Sequence, residues 1–131
     1  MTDKKRLSAR LGLFFALALI AAPALAEWEK VLETDSAAYF IDATTLQKNG
    51  TLRRVAQVQN LKQRDKDGEL SRRALVEYDC REVQNRTLAL SMHADAMGEG
   101  KKLDSYNEPS SPRKVAAGSS GEAILNVVCS R

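Results

Sequence analysis

The stretch LVEYDCREVQNRTLAL, residues 75–90, decides the fold. With a few residues on either side it reads as two strands joined by a turn. On the first, Ala74, Val76, Tyr78 and Cys80 fall on one side, with Arg73, Leu75, Glu77 and Asp79 opposite. That period of two is the alternation of a half-buried strand. Gln84-Asn85 supplies the reversal. On the second strand Leu88, Leu90, Met92 and Ala94 share a side, opposite Ala89, Ser91 and His93. If both strands face one core, Cys80 points inward and His93 points out to solvent.

Strand patterns continue toward the N-terminus. WEKVL (28–32) alternates, and AYFID (38–42) is rich in aromatic and branched residues, so both read as strands. ATTLQK (43–48) reads as one helical or 3₁₀ turn capped by Asp42. Asn49-Gly50 then reverses the chain, since both residues accept positive φ at low cost. LRRVAQVQNL (52–61) is a longer strand, and the polar KQRDKDGELS (62–71) turns at Asp67-Gly68. Trp28, Tyr39 and Phe40 are expected inside, because a small domain with few aromatics needs them in its core.

Toward the C-terminus, MGEG (97–100) reads as a flexible link and YNEPSSPRK (106–114) as an irregular surface loop. Ser119-Ser120-Gly121-Glu122 has the capping-box pattern, which starts a helix. Ile124, Leu125, Val127, Val128 and Cys129 would cover one broad side of it. A helix this short must be held by packing. The branched residues of AILNVV leave a strand as the alternative.

The first 26 residues stand apart. Lys4, Lys5, Arg6 and Arg10 precede an apolar run of 12 residues, Leu11 to Ala22, and Ala24-Leu25-Ala26 completes an A-x-A site. This is the pattern of a secretory signal peptide, with cleavage expected between Ala26 and Glu27. The apolar run is too short for a membrane span, which needs about 20 residues. The mature chain, 27–131, is expected to be one domain without a stable membrane anchor. Of the chain's 20 basic and 17 acidic residues the leader holds four and one, so the mature segment has 16 of each. A net charge of zero removes the basic-protein argument for nucleic-acid binding.

Export also bears on the two cysteines. In an oxidising compartment Cys80 and Cys129 are expected to pair. Closing a loop of about 50 residues would restrict the unfolded chain by about 4 kcal/mol. A nucleophilic cysteine would need a base, and His93 is the only histidine. A zinc site would need short-spaced ligands such as CxxC, which are absent from the sequence.

Several motifs then fall into a known order: Glu27-Trp28 after a signal, YFIDATTLQKNG, LVEYDC followed by a strand, MGEG, and AGSSGEAILNVVC near the end. In this order and spacing the chain resembles the bacterial surface-adhesin protein E family, from Trp28 to Cys129. The resemblance implies an antiparallel sheet with a C-terminal helix on one face, and a disulfide from the strand-end cysteine to the late one. It also implies adhesion to host matrix proteins such as vitronectin or laminin.

Two other features could carry chemistry. His93, with Ser91 on its face and Asp95 nearby, could form a hydrolytic set, although no nucleophile elbow or glycine-rich loop accompanies it. Four dibasic pairs, Arg53-Arg54, Arg72-Arg73, Lys101-Lys102 and Arg113-Lys114, could converge on one edge and bind an acidic surface. Charges on sheet edges also serve simply to prevent edge-to-edge pairing. The expectation is therefore an α+β domain: an antiparallel sheet of about five or six strands with a C-terminal helix tied to it by a disulfide. It is exported, with the periplasm as the first expectation, and works as a non-enzymatic binding module with no cofactor or metal. The alternatives are a periplasmic accessory or stress protein without a small ligand, and a small hydrolase centred on His93.

Overall fold

The computed structural model describes residues 12–18 and 26–131. The expected signal peptide lies mostly outside these, because residues 1–11 and 19–25 are not among them. No helix among the described residues is long and apolar enough to cross a membrane.

The chain forms β1 (Trp28–Glu33), β2 (Ala37–Asn49), β3 (Leu52–Leu61), β4 (Ser71–Asp79), β5 (Gln84–His93), β6 (Lys102–Tyr106) and β7 (Arg113–Lys114), then the helix α1 (Ser120–Cys129). Strands β1 to β6 lie side by side in sequence order, and the short β7 pairs with β5. All pairings are antiparallel. The architecture is the α+β one expected, with β7 as an additional strand.

The alternation of β4 builds the core. Val76 lies opposite Val55, and Tyr78 opposite Arg53. Ile41, Val55, Val76 and Tyr78 meet Ile124, Leu125 and Val128 of α1 in one buried cluster. Burying such side chains contributes about 1.5–3 kcal/mol each, enough to hold a helix that would not persist alone. The Tyr78 hydroxyl, buried with its ring, donates to Gln57 Oε1 at 2.6 Å, and burial pushes its pKa up. At the start of α1 the Ser119 hydroxyl accepts from the Glu122 N–H at 3.2 Å. The Glu122 carboxylate reaches back to the Gly118 N–H at 3.3 Å, one residue earlier than a capping box requires. AILNVV is thus helical, and its strand alternative falls away. The Cys80–Cys129 disulfide, with a Cα–Cα distance of 5.7 Å, ties the last residue of α1 to the end of β4.

Four expectations need correction. ATTLQK is extended, because β2 runs through it with a register shift against β3 between Asp42 and Gln47. Asp42 caps no helix there; its carboxylate accepts from the N–H of Thr44 at 3.0 Å. Thr45 Oγ1 accepts from the Ala56 N–H at 2.9 Å, filling a ladder position that the bulge leaves open. Two adjacent β-branched threonines favour that extended backbone.

Strand β5 does not keep one phase. Leu75 pairs with Ala89 but Val76 pairs with Thr87, so Leu88 is an extra residue at a bulge. MGEG is not a free link. Its 3₁₀ turn (Ala96–Gly98) is pinned by Asn60, which accepts from the Met97 N–H at 2.7 Å and donates to Met97 Sδ at 2.9 Å. Ser71 Oγ accepts from the Gly98 N–H at 2.9 Å. Finally, Trp28 and Phe40 are not core residues. Both are half-buried on the face away from α1, whereas Tyr39 does pack against the core.

Candidate functional site

Directly paired residues of neighbouring antiparallel strands share a face, so the register defines what the side away from α1 presents. Three rows cross it. Arg54, Glu77 and Arg86 form one, Ala56, Leu75 and Ala89 the next, and Val58, Arg73 and Ser91 the third. In the middle row Ala56 is buried and Leu75 is 38% exposed, and the row continues past Ala56 to the buried Asp42.

Glu77 anchors the first row. It is buried, and its two carboxylate oxygens are divided between two arginines, with Arg54 Nε at 2.6 Å and Arg86 Nε at 2.9 Å. Burial alone would raise its pKa. The hydrogen bonds from Arg54 and Arg86, with their charge, outweigh that and hold it below the usual glutamate value. One carboxylate between two guanidinium groups leaves an excess positive charge in the row. A cleft of about 440 Å³ opens on one side of it, along Gln47, Asn49 and Leu52.

The third row is organised differently. The Arg73 guanidinium carbon lies 5.6 Å from the centre of the Trp28 ring. Its stem runs against Gly98, where an added Cβ would sit only 3.3 Å from Arg73 Cβ and Cδ. Next to Arg73 is a shallow groove of about 320 Å³, floored by Ala56, Leu75 and Ala89 and bordered by Ser91, Lys102 and Ser105.

His93 departs from its expected setting. It does lie on the face away from α1, opposite Ser71, but it is only 7% exposed. The connections around it close that end of the face. The Leu70 N–H donates to the His93 carbonyl at 2.9 Å, and Arg64 reaches the Ala94 carbonyl. Ser91 Oγ and His93 Nε2 are 2.7 Å apart, the spacing of a nucleophile and its base. Nδ1, however, is buried and has no hydrogen-bond partner among the described residues, so nothing fixes the ring's tautomer. The Asp95 backbone carbonyl accepts from Ser71 Oγ, and the Asp95 carboxylate lies against Gly100.

The eight basic residues do not gather on one edge. Arg53 lies on the helix side opposite Tyr78, and donates to the carbonyls of Gly50 and Leu52 at 2.8 and 3.0 Å. Arg72 is on that side as well and pairs with buried Glu69. Arg54 and Arg73 are on the open side. Lys101 and Lys102 sit at the His93 end of β5, while Arg113 and Lys114 pair with its opposite end at Asn85 and Gln84. Lys114 donates to the Glu82 carbonyl at 3.0 Å. The open-face residues that the sequence did not propose for a binding site are Glu77, Arg86, Trp28 and Leu75. Glu77 and Leu75 were legible as the outward face of β4, but their partners depend on registers that only the folded sheet reveals.

Fold and site together define a helix-backed, disulfide-stapled sheet domain whose other face is partly open. Residues 28–130 match the model of the surface-adhesin protein E family, and the chain belongs to that family. Among solved structures it is similar to Haemophilus influenzae protein E in its crystal form II. The TM-score is 0.60 at 11% identity, covering 82% of this chain and 97% of that one. A second structure of Haemophilus influenzae protein E also matches with a TM-score of 0.60, at 10% identity, covering 82% and 86%. At these identities the likeness is one of fold. No curated protein matches the sequence.

Proposed function

We propose that this chain is an exported bacterial envelope protein whose domain, residues 27–131, is a non-enzymatic binding module that uses its open sheet face. Family membership supports adhesion as the class of activity. The observation that carries the assignment to this face is the contrast within it. Glu77 is buried between two arginines while Leu75, next to it on the same strand, stays 38% exposed. A row of fixed charge beside exposed apolar surface is the composition of a contact patch. The partners that fit the family are host matrix proteins such as vitronectin or laminin, or other envelope proteins.

Export would remove the leader between Ala26 and Glu27 and leave β1 intact, since that strand begins at Trp28. Fractionation of cells into periplasm, outer membrane and medium, with mass spectrometry of the N-terminus, tests this directly. Recovery of an uncut chain from the cytoplasm would refute it. For binding, the purified exported protein is passed over immobilised vitronectin and laminin and over envelope extract. Specific capture at micromolar concentration, weakened by Leu75→Asp, is expected. No capture from any of the three, or equal capture with Leu75→Asp, overturns the assignment.

A further inference from the structure

Arg73 differs from the arginines that reach a carboxylate. Arg54, Arg72, Arg86 and Arg131 each pair with a glutamate. Arg73 has no ion pair among the described residues, yet its position is fixed. Its stem packs on Gly98 and its head rests over the Trp28 ring, so the lost motion of a long side chain is already accounted for in the folded state. A guanidinium lying over an indole keeps its N–H edge free, and that edge is the planar complement of a carboxylate.

The adjoining groove has matching chemistry. Its border holds a second cation, Lys102, also without an ion pair among the described residues, and no aspartate or glutamate lines it. Its floor is apolar, and the Ser91 and Ser105 hydroxyls stand at its border. Along its flank runs β6, the last strand of the six-strand path, with all five residues exposed.

From this arrangement we propose that the groove is a receptor for an extended acidic peptide segment of a partner protein. A carboxylate of the segment would be held by Arg73, and its apolar side chains would lie on Ala56, Leu75 and Ala89. Two cations are too few for a nucleic-acid strand, whose binding depends on neutralising many phosphates. The inference rests on the reading of this face as a binding surface and specifies what it recognises.

Trp28 is the only tryptophan in the chain, and it lies under the residue in question, so its fluorescence reports on the site. The test titrates the purified exported protein with an N-acetylated, C-amidated peptide of alternating glutamate and leucine. The same peptide with glutamine for glutamate, and one of glutamine and leucine with a free C-terminus, serve as comparisons. A saturable change with the glutamate peptide is expected, with affinity at least roughly ten-fold weaker for the glutamine peptide, the scale of a charge-assisted hydrogen bond. A response to the free-terminus peptide alone would instead assign the site to chain ends and overturn the segment proposal. Arg73→Gln should lose the response and Arg73→Lys should keep part of it. Leu75→Asn should weaken it while placing no carboxylate beside Arg73. Equal binding of the glutamate and glutamine peptides, or wild-type affinity in Arg73→Gln, overturns the inference. Capture by a matrix or envelope protein without any peptide response would sink this inference alone. Peptide binding without any captured partner would sink the adhesin reading alone.

Discussion

The two faces of the sheet use the same strands for opposite ends. Toward α1, β3 and β4 contribute Val55, Val76 and Tyr78, which are buried and fill space. Away from it, the same strands place Arg54, Arg73, Leu75 and Glu77, each exposed or charged, beside buried Ala56, Val58 and Ser71. One face is stabilised by apolar area removed from water; the other holds a few charged groups in fixed positions. Damage to the first should therefore appear as lost stability, and damage to the second as lost recognition.

The largest effect should come from the staple. Reducing the disulfide, or making Cys129→Ser, should cost about 4 kcal/mol by the loop-closure argument. Hydrogen exchange should show α1 opening ahead of β3 and β4; simultaneous opening of helix and sheet would mean the two faces are not separable. Next, Ile124→Ala should cost about 3 kcal/mol, as expected for a fully buried aliphatic truncation, in urea denaturation. It should leave binding to the open face unchanged once the protein is folded.

Glu77→Gln tests the boundary between the faces, since a buried charge there supports an exposed row. Its partners are half-exposed and can turn to water, so a cost of about 1–2 kcal/mol is expected, well below that for a fully enclosed pair. The effect should depend on pH. A carboxyl whose folded pKa lies below its unfolded value stabilises the fold above the unfolded value, and that contribution is lost as pH falls through the folded one. The wild type should therefore exceed Glu77→Gln in stability at neutral pH. The gap should close well below the ordinary glutamate value of 4.5. A gap independent of pH would mean that packing, not charge, is what Glu77 contributes. The smallest stability change belongs to Arg73→Gln, about 0.5–1 kcal/mol for an exposed cation–π contact. Its thermal midpoint should hardly move while the Trp28 emission shifts.

What the sequence revealed follows the same division. The strict alternation of β4, the capping residues of α1 and the pairing of Cys80 with Cys129 are local or stoichiometric signals, and each could be read directly. The contents of the open face could not. Arg54, Glu77 and Arg86 are separated by 23 and 9 positions in the chain, and only the registers of β3, β4 and β5 bring them into one row. The bulge at Leu88 shifts the second half of that register, and no glycine or proline marks it. His93 lies on the side that the alternation predicts, but it is buried because connections close over that end of the sheet. A scarcity of aromatics argues for placing Trp28 inside. A tryptophan also satisfies its apolar area by carrying an arginine, and sequence does not distinguish the two uses.

The sulfur bridge has a mechanical consequence. The last residue of α1 is linked through Cys129 to Cys80, just past the end of β4. Tension applied at the C-terminus therefore bypasses the helix and enters the sheet at one of its two central strands, across the ladders to β3 and β5. Tension at the N-terminus meets β1, an edge strand with a single neighbour, which can be peeled off one hydrogen bond at a time. A domain pulled between a surface and a bound partner would thus yield from its N-terminal edge. The disulfide keeps the other end of the load path anchored in the middle of the sheet.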